Sequence, residues 1–153
     1  MLKILQADGG QLPLDFDKYF IQEETNGEDQ IGFTLPLDHA DYKLLAEEVQ
    51  LLDAEDGQVY RITAIDEGAA TANIKGKLEL SPLRADMRIP YTNGSDTLAG
   101  TVEGVLPAGW TVVDHSLSTI RRTIDLDSAT PEDVILGAAS AFGGLAIRYK
   151  ISD

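Results

Sequence analysis

Residues 72–80, Ala72-Asn73-Ile74-Lys75-Gly76-Lys77-Leu78-Glu79-Leu80, alternate apolar or small side chains with polar ones at every step. A period of two is the signature of a β-strand with one face on a core and the other in water. Upstream, Ile31, Phe33, Leu35 and Leu37 alternate with Gly32, Thr34 and Pro36, which puts four apolar side chains on one face of a second strand. A strand before it starts at Tyr19 or Phe20 and runs to Thr25. Asn26-Gly27 between them suits positive φ in a tight hairpin, while Glu28-Asp29 lengthens the connection into a loop. A further hairpin joins residues 49–52 to 58–65 across Asp53-Ala54-Glu55-Asp56-Gly57. These segments predict an antiparallel meander, with residues 44–48 as a short helix or turn between hairpins.

The pattern loosens from Ser81-Pro82 to Pro90, and the loop from Tyr91 to Asp96 marks a boundary. Asp96 is placed to cap a helix carrying Leu98, Val102, Val105 and Leu106, stopped by Pro107-Ala108-Gly109. Residues 110–113 and 117–126 read as strands, the latter with Ile120, Ile124 and Leu126 on one face. Thr130-Pro131-Glu132-Asp133 supplies an N-cap hydroxyl, proline at the first helical position and acids near the positive end of the dipole. Val134, Ala138 and Phe142 then recur at helical spacing, and Gly143-Gly144 ends the helix. Leu145, Ile147, Tyr149 and Ile151 alternate in a last strand. The fold class expected is α+β: a β-rich, barrel-like part over residues 1–90 and a small α/β subdomain with two helices over 91–153.

Composition narrows the function. The chain has 153 residues, 26 acidic and 12 basic, a net charge of −14. Such a surface repels a phosphate backbone, so specific nucleic-acid binding is excluded. With no cysteine, disulfides, thiolate nucleophiles and cysteine metal sites are excluded too. Asp8 interrupts the apolar start before a signal peptide can develop. The uncharged stretch 134–147 is shorter than the roughly 18 residues that a membrane span needs.

Only His39 and His115 offer imidazole. Asp114-His115-Ser116 contains the residue types of a catalytic triad, but adjacent side chains on a strand or turn point apart. His39, between Asp38 and Asp41, reads as part of a solvated loop rather than a metal site. Asp53-Ala54-Glu55-Asp56-Gly57 has the glycine one place early for a calcium loop and lacks the final glutamate, so it reads as a turn. Asn93-Gly94-Ser95 fits a glycosylation pattern and equally a turn. Gly143-Gly144 follows a helix instead of opening one, so no phosphate loop is present. Trp110 is expected in the core rather than in a carbohydrate-binding groove. No residue is assigned a catalytic, cofactor-binding or metal-binding role, and the chain is not expected to be an enzyme.

The order of these features resembles a known family. Glu23-Glu24-Thr25-Asn26-Gly27 leads into Ile31-Gly32-Phe33-Thr34-Leu35-Pro36, followed by Asp56-Gly57-Gln58-Val59-Tyr60-Arg61-Ile62. Leu106-Pro107-Ala108-Gly109-Trp110-Thr111-Val112, then Arg122-Thr123-Ile124, Thr130-Pro131-Glu132-Asp133-Val134-Ile135 and Phe142-Gly143-Gly144 continue the likeness. Together they resemble the N-terminal region of phage minor structural proteins, the prophage tail endopeptidase or tail-hub family. The resemblance implies a structural tail-hub (baseplate, tail-tip) module of barrel-like domains, a homotrimer in the full-length protein. Its implied partners are other tail proteins: the distal tail protein, the tape-measure protein and tip or receptor-binding proteins. It implies a place at the virion tail tip, after synthesis in the bacterial cytoplasm. Family members continue past Asp153, so the chain is expected to be an N-terminal fragment, with any hydrolase activity downstream. Two other readings stand beside it: part of a tail-associated peptidoglycan endopeptidase, and a carbohydrate-binding β domain. The charge suggests acidic residues lining a channel that keeps passing DNA from adhering; alternatively the acids only solubilise the surface.

Overall fold

The computed structural model describes residues 1–24, 27–85, 90–112, 119–127 and 129–143. By contacts these form two units, Met1–Glu79 and a second beginning at Leu80. The first unit holds β1 (Leu2–Leu5), β2 (Gln11–Pro13), β3 (Tyr19–Gln22), β4 (Gln30–Pro36), β5 (Gln50–Asp53), β6 (Val59–Glu67) and β7 (Thr71–Leu78). They make one antiparallel sheet in the order β2-β1-β5-β6-β7-β4-β3, curled into a half-barrel. The class is therefore α+β with a β-rich first half, as the alternation requires.

Burial along β7 alternates at every residue, with Ala72, Ile74, Gly76 and Leu78 inward. Ile31, Phe33 and Leu35 of β4 face the same interior, joined by Leu2, Leu51, Tyr60 and Ile62. Burying these side chains is what drives the curl, since a flat sheet would leave that face in water. Gly57, at φ 72°, closes the β5–β6 turn, with its N–H donating to the Asp53 carbonyl at 2.8 Å.

Two details differ from the sequence reading. Only β5-β6-β7 is a true meander: the β3–β4 hairpin adds to β7 through seven paired residues, Gln30↔Lys77 to Pro36↔Thr71, and the β1–β2 hairpin adds to β5. Alternation fixes which face of a strand is buried, but not which neighbour it pairs with. The β1–β2 hairpin itself was not anticipated. A single 3₁₀ turn at Tyr42–Leu44 occupies the region ahead of β5.

The second unit contains α1 (Ser81–Arg84), β8 (Tyr91–Thr92), α2 (Leu98–Glu103), β9 (Asp125–Leu126) and α3 (Pro131–Phe142). Its core gathers Val105, Ala129 and Val134, with Tyr91 and Leu126 packed against them. The start of α3 is as expected: Thr130 caps it in a reciprocal box with Asp133, and Pro131 follows. Gly143 ends it in the left-handed region at φ 70°.

Three expectations are corrected here. Thr97, not Asp96, caps α2, its hydroxyl accepting from the Gly100 N–H at 3.2 Å. Asp96 is held extended in a bridge with Arg122. Residues 110–112 form no strand, and of 119–126 only Asp125–Leu126 does; Ile124 is buried while Ile120 is 57% exposed. The partner strand β8 is two residues long, so alternation further along has no ladder to join. Trp110 is half-buried rather than in the core. The final strand from Leu145, Gly144 and Asp114-His115-Ser116 fall outside the described residues.

Candidate functional site

The two edges of the half-barrel are β2 and β3, and the chemistry of the first unit concentrates near β3. The Tyr19 hydroxyl donates to Asp53 Oδ1 at 2.9 Å. The Met1 ammonium donates to the same hydroxyl oxygen at 3.2 Å and to Glu55 at 3.3 Å. Asp53 is 2% exposed, and the Glu55 N–H also donates to its Oδ1, at 3.0 Å. Burial, followed by the bond to Asp53, pushes the Tyr19 hydroxyl pKa well above its usual value. The arrangement is a closure, tying the edge strand to the far side of the curl.

Behind β3, Phe16 packs on Phe33 with ring centroids 4.6 Å apart, and His39 meets Phe16 edge-on at 6.4 Å. His39 Nδ1 accepts from the Asp41 N–H at 3.2 Å, while Asp41 accepts from the Asp15 N–H at 2.7 Å. These groups are spent on holding the loop that leads into β3. On the outer face, Arg61 bridges Glu48 (2.7 Å) and Glu79, and Gln50 also donates to Glu79 at 2.9 Å. The Glu48 bond and then the Glu79 bond raise the Arg61 pKa further above its already high value.

Phe20 is the most exposed of the large apolar side chains in this unit, at 63%. Its ring lies over Gly32, where a Cβ would stand 2.4 Å from Phe20 Cζ. Around it runs a shallow groove lined by Lys18, Tyr19, Phe20, Gly32, Phe33 and Thr34. An exposed aromatic on an edge strand is a feature of a contact surface rather than of a reaction centre.

Residues 3–77, which span all but the outermost residues of this sheet, match the family model of the prophage endopeptidase tail N-terminal domain. The first unit belongs to that family. It is a component of a phage tail, with a structural role among other tail proteins. No curated protein matches the chain.

Within the tail domain the predicted site residues fall as follows. The run from Asp53 to Gly57 is a turn whose first carboxylate is taken by Tyr19 and the Glu55 N–H. His39 lies in its loop, apart from Asp53. Among the described residues no group of three or more metal-ligating side chains converges, and no helix is long and apolar enough to cross a membrane. Outside the tail domain, Asn93 uses its amide internally: Nδ2 donates to Thr101 Oγ1 at 2.7 Å and Oδ1 accepts from the Ile124 N–H at 2.7 Å. That is the behaviour of a turn residue and not of a free glycan acceptor. Arg84 and Glu132 pair across α1 and α3.

Sequence reasoning missed Phe20 and the Tyr19–Asp53 closure. Tyr19-Phe20-Ile21 are all apolar in body, so no alternation reveals which face of that strand looks outward.

Proposed function

We propose that the chain is a structural tail-hub module at the tail tip, working by protein–protein assembly, with its own side chains making and breaking no covalent bond. The observation that carries this reading is the family match across the half-barrel. The chemistry of the described residues supports it. The buried carboxylates Asp53 and Glu79 and the imidazole of His39 are engaged in internal hydrogen bonds, so none stands ready as a base. In the full-length protein the module forms a homotrimeric ring that joins the distal tail and tape-measure proteins to the tip or receptor-binding proteins. Any hydrolase lies downstream. The net charge of −14 suits a wall along which DNA passes without adhering.

The test is twofold. Incubated with purified cell walls, the chain releases no peptide; release above a heat-treated control overturns the structural reading. Co-expressed with the distal tail protein of its own prophage, the full-length protein co-purifies in a ring of three copies. Failure to associate, or a different stoichiometry, overturns the hub assignment.

A further inference from the structure

The run Asn93-Gly94-Ser95, singled out by its sequence, has no part in the tail role. In the fold it is a reactive pair held out of reach. The Ile124 N–H donates to Asn93 Oδ1 at 2.7 Å, which fixes the oxygen end of the amide. Nδ2 donates to Thr101 Oγ1 at 2.7 Å and to the Arg122 carbonyl at 3.4 Å. Thr101 is 1% exposed, so this partner belongs to the interior of the second unit. The main chain is tied on both sides of the pair: the Asn93 N–H donates to the Ile124 carbonyl at 3.3 Å, and Asp96 exchanges bonds with Arg122 at 3.1 and 2.9 Å. Gly94 itself is open, with no atom beyond its chain neighbours within 4 Å of where a Cβ would stand.

We infer that Asn93 is a modification site: its side chain is converted to a carboxylate by spontaneous deamidation, and only when the second unit opens. A glycine after asparagine leaves the following backbone nitrogen uncrowded. That nitrogen, giving up its proton, attacks Asn93 Cγ; the Cγ–Nδ2 bond breaks and ammonia leaves. Water then opens the five-membered imide. Opening at Cγ gives aspartate, and opening at the Asn93 backbone carbonyl gives an isoaspartyl link in which the main chain runs through Cγ. In the folded unit the amide is committed to partners on Thr101, Arg122 and Ile124, and it must leave them before Cγ can swing onto the Gly94 nitrogen. Each bond resists that step, so the reaction draws on the small open population. The products do not refit. A carboxylate has no N–H for the Arg122 carbonyl, and the isoaspartyl link adds a carbon to a stretch whose length is set by the bonds at Ile124 and Arg122. A transient opening thereby becomes a permanent one. The inference stands or falls apart from the tail-hub reading.

The experiment incubates the full chain in mildly alkaline buffer, folded and in guanidinium chloride, and follows the tryptic peptide from Ile89 to Arg121 by mass and by chromatographic separation of the two products. Asn93 is the only side-chain amide in that peptide, so the assignment is unambiguous. The folded chain is expected to react at least about tenfold more slowly than the unfolded one. Thr101→Val removes the Nδ2 acceptor and should speed the folded-state reaction about tenfold while leaving the unfolded rate unchanged. Gly94→Ala, for which the turn has room, crowds the attacking nitrogen and should slow the reaction in the unfolded chain. Asn93→Asp imitates one product and should lower the unfolding midpoint read by Trp110 fluorescence. Equal rates folded and unfolded overturn the inference, a comparison that needs no variant to fold. So does a folded rate indifferent to Thr101→Val, or an unfolded rate indifferent to Gly94→Ala. An Asn93→Asp midpoint equal to wild type overturns the claim that the product does not refit.

Discussion

Tyr19 Oη stands 2.9 Å from Asp53 Oδ1, and through that bond β3 reaches β5, four places along the strand order. In a flat sheet those strands would lie roughly 19 Å apart, at about 4.8 Å per step. The bond therefore exists only because the sheet curls. Tyr19→Phe keeps the ring and removes the donor, leaving a nearly buried carboxylate with one partner fewer. The expected cost is about 1–3 kcal/mol, read as a lower urea midpoint at unchanged m-value.

The same tyrosine sets an alkaline limit. Folding raises the Tyr19 and Tyr60 pKa values, mainly through burial, and that of Tyr42 through its bond to Glu67. A raised pKa means the folded state holds a proton that the unfolded chain releases at its usual pKa of about 10. The stabilisation is thus complete below about pH 10 and declines as pH rises through and beyond it. Denaturation midpoints measured from pH 8 to pH 11 should fall over the upper part of that range. Tyr19→Phe, which has one such group fewer, should show a shallower fall.

Two glycines of the sheet should respond unequally to a methyl group. A Cβ at Gly76 would stand 2.9 Å from the Arg61 carbonyl oxygen and 2.9 Å from Ile31 Cγ2. The first is backbone beside the irregular register at Ile62/Ala64 and cannot swing aside. Gly76→Ala should cost about 1–3 kcal/mol. At Gly32 the obstacle is the exposed ring of Phe20, which can rotate into solvent, so Gly32→Ala should cost less than about 1 kcal/mol. Equal losses in parallel urea titrations would contradict the packing described.

How far the sequence reveals this structure depends on segment length and on competition between neighbours. β4 and β7 are long enough for a period of two to stand out, and their inward residues are the ones buried. β1 turns only Leu2 and Ile4 to the core and β2 is shorter still, so neither establishes a period. At residues 96–97 two good capping side chains compete. Asp96 exchanges backbone hydrogen bonds with Arg122 at 3.1 and 2.9 Å, which leaves Thr97 to cap α2. That competition is settled by a residue far away in sequence. The surface around Phe20 was illegible for a related reason: sheet order, which makes β3 an edge, is a long-range property.

The Arg61–Glu79 pair tests how much of the polar outer face is structural. Glu79 is 4% exposed, while the Arg61 side chain keeps 31% of its exposure. Arg61→Met removes the cation and leaves the carboxylate buried, at an expected cost of about 2–4 kcal/mol, less than for a fully buried pair. Adding Glu79→Gln should recover part of that loss, because the site then holds no charge to neutralise. A double variant as unstable as the sum of the singles would show that the two side chains act independently.

The ends of α3 give a test confined to the second unit, which carries Trp110, the only tryptophan. Thr130 accepts from the Asp133 N–H at 3.2 Å, and Asp133 accepts from the Thr130 N–H at 2.9 Å, so Thr130→Ala removes the hydroxyl half of the box. It should cost about 1 kcal/mol. Gly143→Ala forces a side chain into φ 70° and should cost about 1–2 kcal/mol. The helix separates the two sites by its full length, so the losses should add to within about 0.5 kcal/mol. Trp110 fluorescence during urea unfolding measures them, and a Gly143→Ala midpoint equal to wild type would rule out the left-handed cap.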